Sequence, residues 1–281
     1  LICVVVALSL VAVDQIGIRW SVAATATVLV IITGSIYWWH SGRIADPILA
    51  RTHITRFPLA WVHLTSGLVL IAGLAVDNYL PLYVQLTRGK SVEFAAFSIT
   101  SLSVGWTSGS FMFSRVLSKW SETDVVLLGA ALSIPSLVTT GVLVFWDLSL
   151  ALILGAFFFV GLSVGLVVTA GLTLVQATSD ENEIGRSNAA HQFIRNLSIT
   201  FAVAIGGSVI LSVVNYRVGD VELVRSVLSG ENIRVGVETM AAVGDGLALA
   251  HVPSVLIALV CFGVAISLTR RSSDISRKTG E

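Results

Sequence analysis

Asp77 is the residue of this chain most capable of chemistry, because it is an ionisable group carried by the apolar stretch Pro58 to Tyr83. A charged side chain at the centre of a bilayer helix costs about 2.5 to 3.5 kcal/mol, so such groups face protein or water, where they serve in ion and proton relays. His63, Leu70 and Asp77 recur every seven residues and therefore share a helix face, with Gly67 beside them. One reading makes Asp77 and His63 the proton-coupling groups of a polar cavity lined by that face. The other places Asp77, ~28 Å along the helix from Pro58, at the outer water boundary, where hydration relieves the cost.

Basic residues form a second constellation. Arg115 and Lys119 close the helix that carries Gly109, and a basic pair at a cytoplasmic helix end is favoured by the inner leaflet and by the helix C-terminus. Such a turn either anchors the topology or acts as a gate through contacts with acidic partners. Arg195, at the start of a later apolar helix, either pairs with an acid across a cytoplasmic vestibule or anchors at the inner interface. Gly161 and Gly165 form a GxxxG pair, which lets two helix backbones approach closely and so points to packing.

Other chemistries leave no trace. There is no GxSxG, HExxH or phosphate-binding loop, and the five histidines show no metal-ligand spacing, so neither an enzymatic role nor a cofactor is implied. Cys3 and Cys261 lie inside apolar runs, where cysteine packs as a small hydrophobe. Formal charge is zero, from 17 basic and 17 acidic residues, and a nucleic-acid partner would require a basic patch.

The elements that position these groups are read from hydropathy. The chain is 55% hydrophobic and 12% charged, with a mean hydropathy of +0.89. Its apolar runs are Leu1 to Val13, Val22 to Trp39, Pro58 to Tyr83, Phe94 to Leu117, Val125 to Phe145, Ser149 to Ala177, Phe193 to Val214 and Val252 to Thr269. A bilayer helix needs roughly 20 apolar residues, so an all-α protein with eight membrane-spanning helices is expected. The β-branched second run is expected to be helical too, since it is too long and unalternating for a barrel strand.

A cytoplasmic C-terminus puts eleven of the 17 basic residues inside and six outside, three of those six in one long loop, Asn215 to Ala250. That loop is expected to be a solvated connector with a short amphipathic helix around Val221 to Leu228, a substrate-capturing role being the alternative. The cytoplasmic segments are then His40 to Phe57, Ser118 to Asp124, Thr178 to Gln192 and the tail from Arg270. Leu1 falls inside an apolar run without an initiator Met, so the sequence is read as the C-terminal part of a longer protein.

Four stretches together resemble the major facilitator superfamily, and within it the fourteen-span drug:proton antiporters of the EmrB/QacA type. DPILARTHITRFPLAW, Asp46 to Trp61, is similar to that family's acidic and leucine-rich linker. NYLPLYVQLTRGKSVEFAAF, Asn78 to Phe97, resembles its Leu-Pro-x-Tyr-x-Gln helix exit and the following return. GWTSGSFMFSRVLSKWSETDVVLLG, Gly105 to Gly129, resembles its glycine-bearing helix and basic turn, with Ser114 and Ser118 departing from the usual Gly and acid. GLSVGLVVTAGLTLVQATSDENEIGRSNAAHQFIRN, Gly161 to Asn196, resembles its glycine-rich helix, acidic turn and Gln-Phe-x-Arg helix start; relatives carry more glycine after that arginine than Ser198, Ile199 and Ala202 here.

The resemblance implies a proton-coupled transporter in the plasma membrane that exports small amphipathic compounds, with import of a nutrient or metabolite as the alternative on the same fold. A membrane-embedded enzyme or the permease subunit of an ATP-driven complex is the rival from another class. The implied organisation is two extra central helices over 1–39, a cytoplasmic linker over 40–57, a six-helix C-terminal bundle over 58–269 and a tail over 270–281. The N-terminal half of the transporter, the lipid bilayer, protons and a small-molecule substrate are the implied partners, and Arg115, Lys119 and Gly109 the implied gate-like turn.

Overall fold

A computed structural model describes the chain except Gly17, Ala45, Asp46, Ile48, residues 117–119, 220–235 and 280–281, and the side chains of Ser276, Lys278 and Thr279. Every described regular element is helical: α1 (Ile2–Asp14), α2 (Trp20–Ser41), α3 (Arg51–Thr55), α4 (Leu59–Asp77), α5 (Leu80–Leu86), α6 (Val92–Val116), α7 (Glu122–Phe145), α8 (Leu150–Thr178), a 3₁₀ turn (Glu181–Glu183), α9 (Ile184–Arg217) and α10 (Val237–Thr279). The eight apolar runs are therefore helical where described, the third as two helices, and the β-branched second one is included. Among the described residues six stretches are long and apolar enough to cross a membrane: Trp20–Ser41, Leu59–Leu86, Glu122–Phe145, Leu150–Thr178, Glu181–Arg217 and Val237–Ile275. The chain is a multi-pass membrane protein.

The other two runs fall short for different reasons. With 13 residues, α1 is too short to span within this sequence. The 25-residue α6 is long enough, but it is diluted by hydroxyls. Those hydroxyls are satisfied by the protein itself: on the exposed face Thr107 Oγ1 donates back to Ser103 O at 2.9 Å, while at the helix contact Ser101 Oγ donates across to Leu154 O at 2.5 Å and Thr169 Oγ1 of α8 donates to Ser110 Oγ at 2.8 Å. Hydropathy alone therefore undervalues this helix.

Helix directions follow from which residues meet. A Cβ on Gly105 would strike the backbone around Phe158 and Leu162, and one on Gly109 would approach Gly165 Cα at 3.1 Å, so α6 and α8 advance in the same sense. Likewise Gly67 meets Ser198 and Gly206 meets Ala75, which makes α4 and α9 parallel. Trp61 Nε1 donates to Ser267 Oγ at 3.2 Å, and Cys261 Sγ lies 3.5 Å from Thr65 O, so α4 and α10 are antiparallel. Gly141 abuts His251, and Thr269 Oγ1 donates to Thr123 O at 3.1 Å, so α7 and α10 are antiparallel as well. These senses are those of helices that cross a bilayer alternately, with α6 among them. At the bundle's edge α1 and α2 pack on each other, and Ser212 Oγ of α9 reaches Ile16 O at 3.1 Å.

Three boundaries differ from expectation. The third span breaks at Asn78 and Tyr79, because Pro81 has no N–H with which to continue the helical ladder onto the Asp77 carbonyl. The segment expected as a loop from Thr178 to Gln192 is already α9 from Ile184, and the connector Asn215 to Ala250 is helical through Arg217 and again from Val237. Its polar residues fit a helix because they are packed: Gly246 lies against Ile210, and Asp245 forms an ion pair with Arg217. The expected short helix over Val221 to Leu228 lies outside the described residues. The tail from Arg270 continues α10 through Thr279.

Candidate functional site

Side chains far apart in sequence converge where α3 and the starts of α4 and α9 meet. The bundle buries His53 of α3, His63 of α4 and His191 of α9. His63 Nδ1 lies 3.0 Å from His191 Nδ1, so one imidazole donates and the other accepts, the tautomers deciding which. Their ring centroids are 5.2 Å apart, and His53 stands 6.1 Å from His63. Ser187 Oγ lies 3.4 Å from His53 Nε2. Among the described residues no group hydrogen-bonds to Nε2 of either His63 or His191. Among the described residues no group of three His, Cys, Asp or Glu is placed to hold a metal ion.

The chain reaches this arrangement through its helix starts. Pro58 precedes α4, and His63 is the fifth residue of the helix that starts at Leu59, so it sits one turn inside. His191 stands two turns inside α9, which begins earlier, and the parallel course of the two helices brings the rings level. Gly67 supports this approach, because a Cβ there would come within 2.8 Å of Ser198 Oγ.

His63 also lines a largely apolar cavity of about 420 Å³. Its walls include Leu49, His53 and Ile54 from the α3 segment, Trp61, Leu64, Gly67 and Ile71 from α4, and Ile194 and Ser198 from α9. Leu64, 50% exposed, marks its open side. An apolar body with one polar edge is the ligand shape such a wall accommodates.

Charge lies on the other side of the histidines. Arg186 is ion-paired with Glu183. The His53 imidazole is held below the usual value of 6.5, first by burial and then by the Arg186 guanidinium, with Glu183 acting in the opposite sense. Arg195 stacks over the Trp106 ring with its guanidinium carbon 5.3 Å from the centroid, and its Nη1 reaches Gln192 Oε1 at 3.4 Å. Among the described residues no carboxylate pairs with it, so it bridges α9 to α6 through an aromatic face.

Asp77 lies elsewhere. It is 5% exposed at the C-terminal end of α4, with Oδ1 accepting from no protein group. Fourteen residues separate it from His63, roughly 21 Å along the helix axis, so the two titratable groups of that face are not brought together. The 7-residue helix α5 follows Asp77 before the chain turns, so Asp77 does not stand at the last turn of this helical stretch. Gly109 does not stand free beside a turn but lies in the α6–α8 contact with Leu162, Gly165 and Leu166. Arg115 lies over the Phe111 ring at 5.2 Å, whereas Lys119 falls outside the described residues. Gly161 and Gly165 press on the backbones of Leu102 and Trp106.

His53 and His191 were not singled out by sequence reasoning. Spacing carries no signal for residues 128 positions apart, such as His63 and His191. The faint clue was topological, because all three histidines fall at helix starts or linkers assigned to one side of the membrane.

Residues 2–203 match the family model of the Major Facilitator Superfamily. The chain belongs to that superfamily. The curated proteins include a relative that is 22% identical over 181 residues, the "Multidrug efflux pump SdrM" of Staphylococcus aureus (strain N315), the match taking in 64% of this chain and 39% of the relative. The chain thus spans about two fifths of the length of the curated relative it matches. Two solved structures of a bacterial homolog to the human lysosomal transporter Spinster are also similar. The inward-facing, unoccupied form gives a TM-score of 0.48 at 14% identity over 75% of this chain and 47% of that one. The occupied form gives 0.49 at 13% identity over 89% and 57%.

Proposed function

We propose that this chain is the C-terminal portion of a proton-coupled major-facilitator exporter of small amphipathic compounds, of the fourteen-span EmrB/QacA type, and not an enzyme. The observation that carries this reading is the apolar cavity of about 420 Å³ with buried imidazoles in one wall. Apolar lining accepts a hydrophobic body without demanding one shape, and a titratable edge gives protons a means of influencing its occupancy. The staphylococcal relative, a multidrug efflux pump by name, supports export of drugs.

In this reading residues 58–269 form one six-helix bundle, 1–39 the two extra central helices, 40–57 a cytoplasmic linker and 270–281 a cytoplasmic tail. The N-terminal bundle supplies the opposing cavity wall, and the two rock about the site in a plasma membrane. Asp77, buried without a partner, is the coupling acid proposed for this half; Arg115 and Lys119 close the cytoplasmic side.

Inside-out membrane vesicles holding the full-length protein test the proposal with ethidium as probe. Accumulation driven by an imposed pH gradient and abolished by its collapse is expected. Gradient-independent movement would refute the coupling, and gradient-driven movement in the opposite sense would favour import.

A further inference from the structure

We propose that His63 and His191 together form a proton-binding site that holds a single proton shared between two imidazoles. This rests on, and deepens, the proton-coupled reading above by naming a site separate from Asp77.

The 3.0 Å separation of the two Nδ1 atoms is the decisive geometry. Two neutral rings satisfy it only with opposite tautomers: the donor ring carries its hydrogen on Nδ1 and a lone pair on Nε2, and the acceptor ring carries its hydrogen on Nε2. A proton added to the donor's free Nε2 leaves the Nδ1–H···Nδ1 bond intact and gives a monocation. A second proton would have to enter at the acceptor's Nδ1. It would set two N–H groups against each other at that distance and bring two charges together, so the pair stops at one.

The same pair can pass its proton on. The proton arrives at Nε2 of the first ring, that ring's Nδ1–H bond breaks as the Nδ1–H bond of the second forms, and the second ring releases the hydrogen on its own Nε2. One proton enters, one leaves, and the two tautomers have exchanged. Both Nε2 atoms are buried without a partner among the described residues, so no hydrogen bond from those residues blocks either terminus of this path.

The charges around the pair suit such a site. From α3 the facing titratable group is His53, 6.1 Å from His63 between ring centroids. From α9 they are Arg195 beside His191, and Arg186, which with Glu183 of the 3₁₀ turn flanks His53. From α10 comes Arg271, 4.7 Å over the Trp61 ring in the cavity wall. The sequence of α8 holds no ionisable residue. Among the described residues cations thus outnumber carboxylates here, Glu183 being the acid named, and a protonated pair needs the water of an open cavity to offset them. Occupancy by a proton is therefore tied to whether the cavity stands open, and an apolar ligand that fills it expels the charge.

Two measurements on the full-length protein decide the matter. With nitrogen-15 histidine, NMR of the reconstituted wild type should show the His63 and His191 rings titrating together in one step with a bridging Nδ1 hydrogen. Separate steps for the two rings would overturn the shared site, and this measurement needs no variant to fold. Potentiometric titration in detergent should find the wild type binding one more proton than H63Q/H191Q, and two more or none would overturn it equally. In vesicles, H63Q and H191Q should each lose ethidium accumulation driven by the pH gradient. Gradient-driven accumulation equal to wild type in both variants would sink the site and leave the coupled reading standing. A wild type indifferent to the gradient would sink the coupled reading, while the titrations still judge the site.

Discussion

Gly109 and Gly165 face each other across the parallel α6–α8 contact so closely that a Cβ built on Gly109 lies 3.1 Å from Gly165 Cα, and one on Gly165 reaches the backbone of Trp106 and Ser110. Gly105 and Gly161 repeat the arrangement one turn earlier, so two small-xxx-small stretches interlock in a contact that needs backbone-to-backbone approach. Overpacking a helix contact costs about 1 to 3 kcal/mol. Gly165→Ala should therefore lower the thermal midpoint of the detergent-purified protein. Gly155→Ala is the matched control: the same helix, with nothing within 4 Å of the added methyl, should be neutral or gain about 0.5 to 1 kcal/mol from helix propensity. Equal midpoints for the two variants would contradict the close packing.

Asp77 is expected to respond to charge and not to size. Asp77→Asn keeps the shape of a side chain 5% exposed and removes its proton chemistry. Efflux driven by a pH gradient in vesicles should be abolished, with the protein still present in the membrane at wild-type amount. Transport equal to wild type would remove Asp77 from the coupling groups.

His53 ties the α3 segment to the bundle in a pH-dependent way. Burial, then Arg186, lowers its pKa below 6.5, so the docked state prefers the neutral ring and the undocked segment binds more protons. The stabilisation is complete above the undocked value near 6.5 and is lost as pH falls through the lower docked value. Hydrogen exchange of residues 51–55, corrected for intrinsic rate, should be faster at about pH 5.5 than at about pH 7.5. His53→Gln should remove the difference; a difference that survives in His53→Gln would assign the effect to another group.

Membrane orientation can be read by an impermeant thiol reagent in intact cells. Ser187 is a poor probe because it is buried, whereas Asn182 in the turn before α9 is exposed. Asn182→Cys should stay unlabelled from outside, and Ser91→Cys, in the turn between α5 and α6, should be labelled. The reverse pattern would invert the proposed topology.

Much of the architecture was legible before any coordinates. Length and hydropathy placed the long helices, though not the short α3 or the split into α4 and α5, since a spanning segment must satisfy its backbone internally whatever its neighbours do. The break after Asp77 was also written locally, in Pro81. The overestimated connectors were not, because Gly244, Asp245 and Gly246 read as loop residues until Arg217 and Ile210 are there to pack against them.

What the sequence by itself determined is therefore the set of helices, the GxxxG pair and membership in a transporter superfamily, all of which depend on residues near one another along the chain. Only tertiary structure decided that His63 meets His191 and not Asp77. The heptad spacing put His63 and Asp77 on one face, but a helix is a rigid rod, and fourteen residues along it hold them roughly 21 Å apart. His191 is 128 residues away in sequence, yet the parallel packing of α4 and α9, permitted by Gly67 and Gly206, sets it at hydrogen-bond distance.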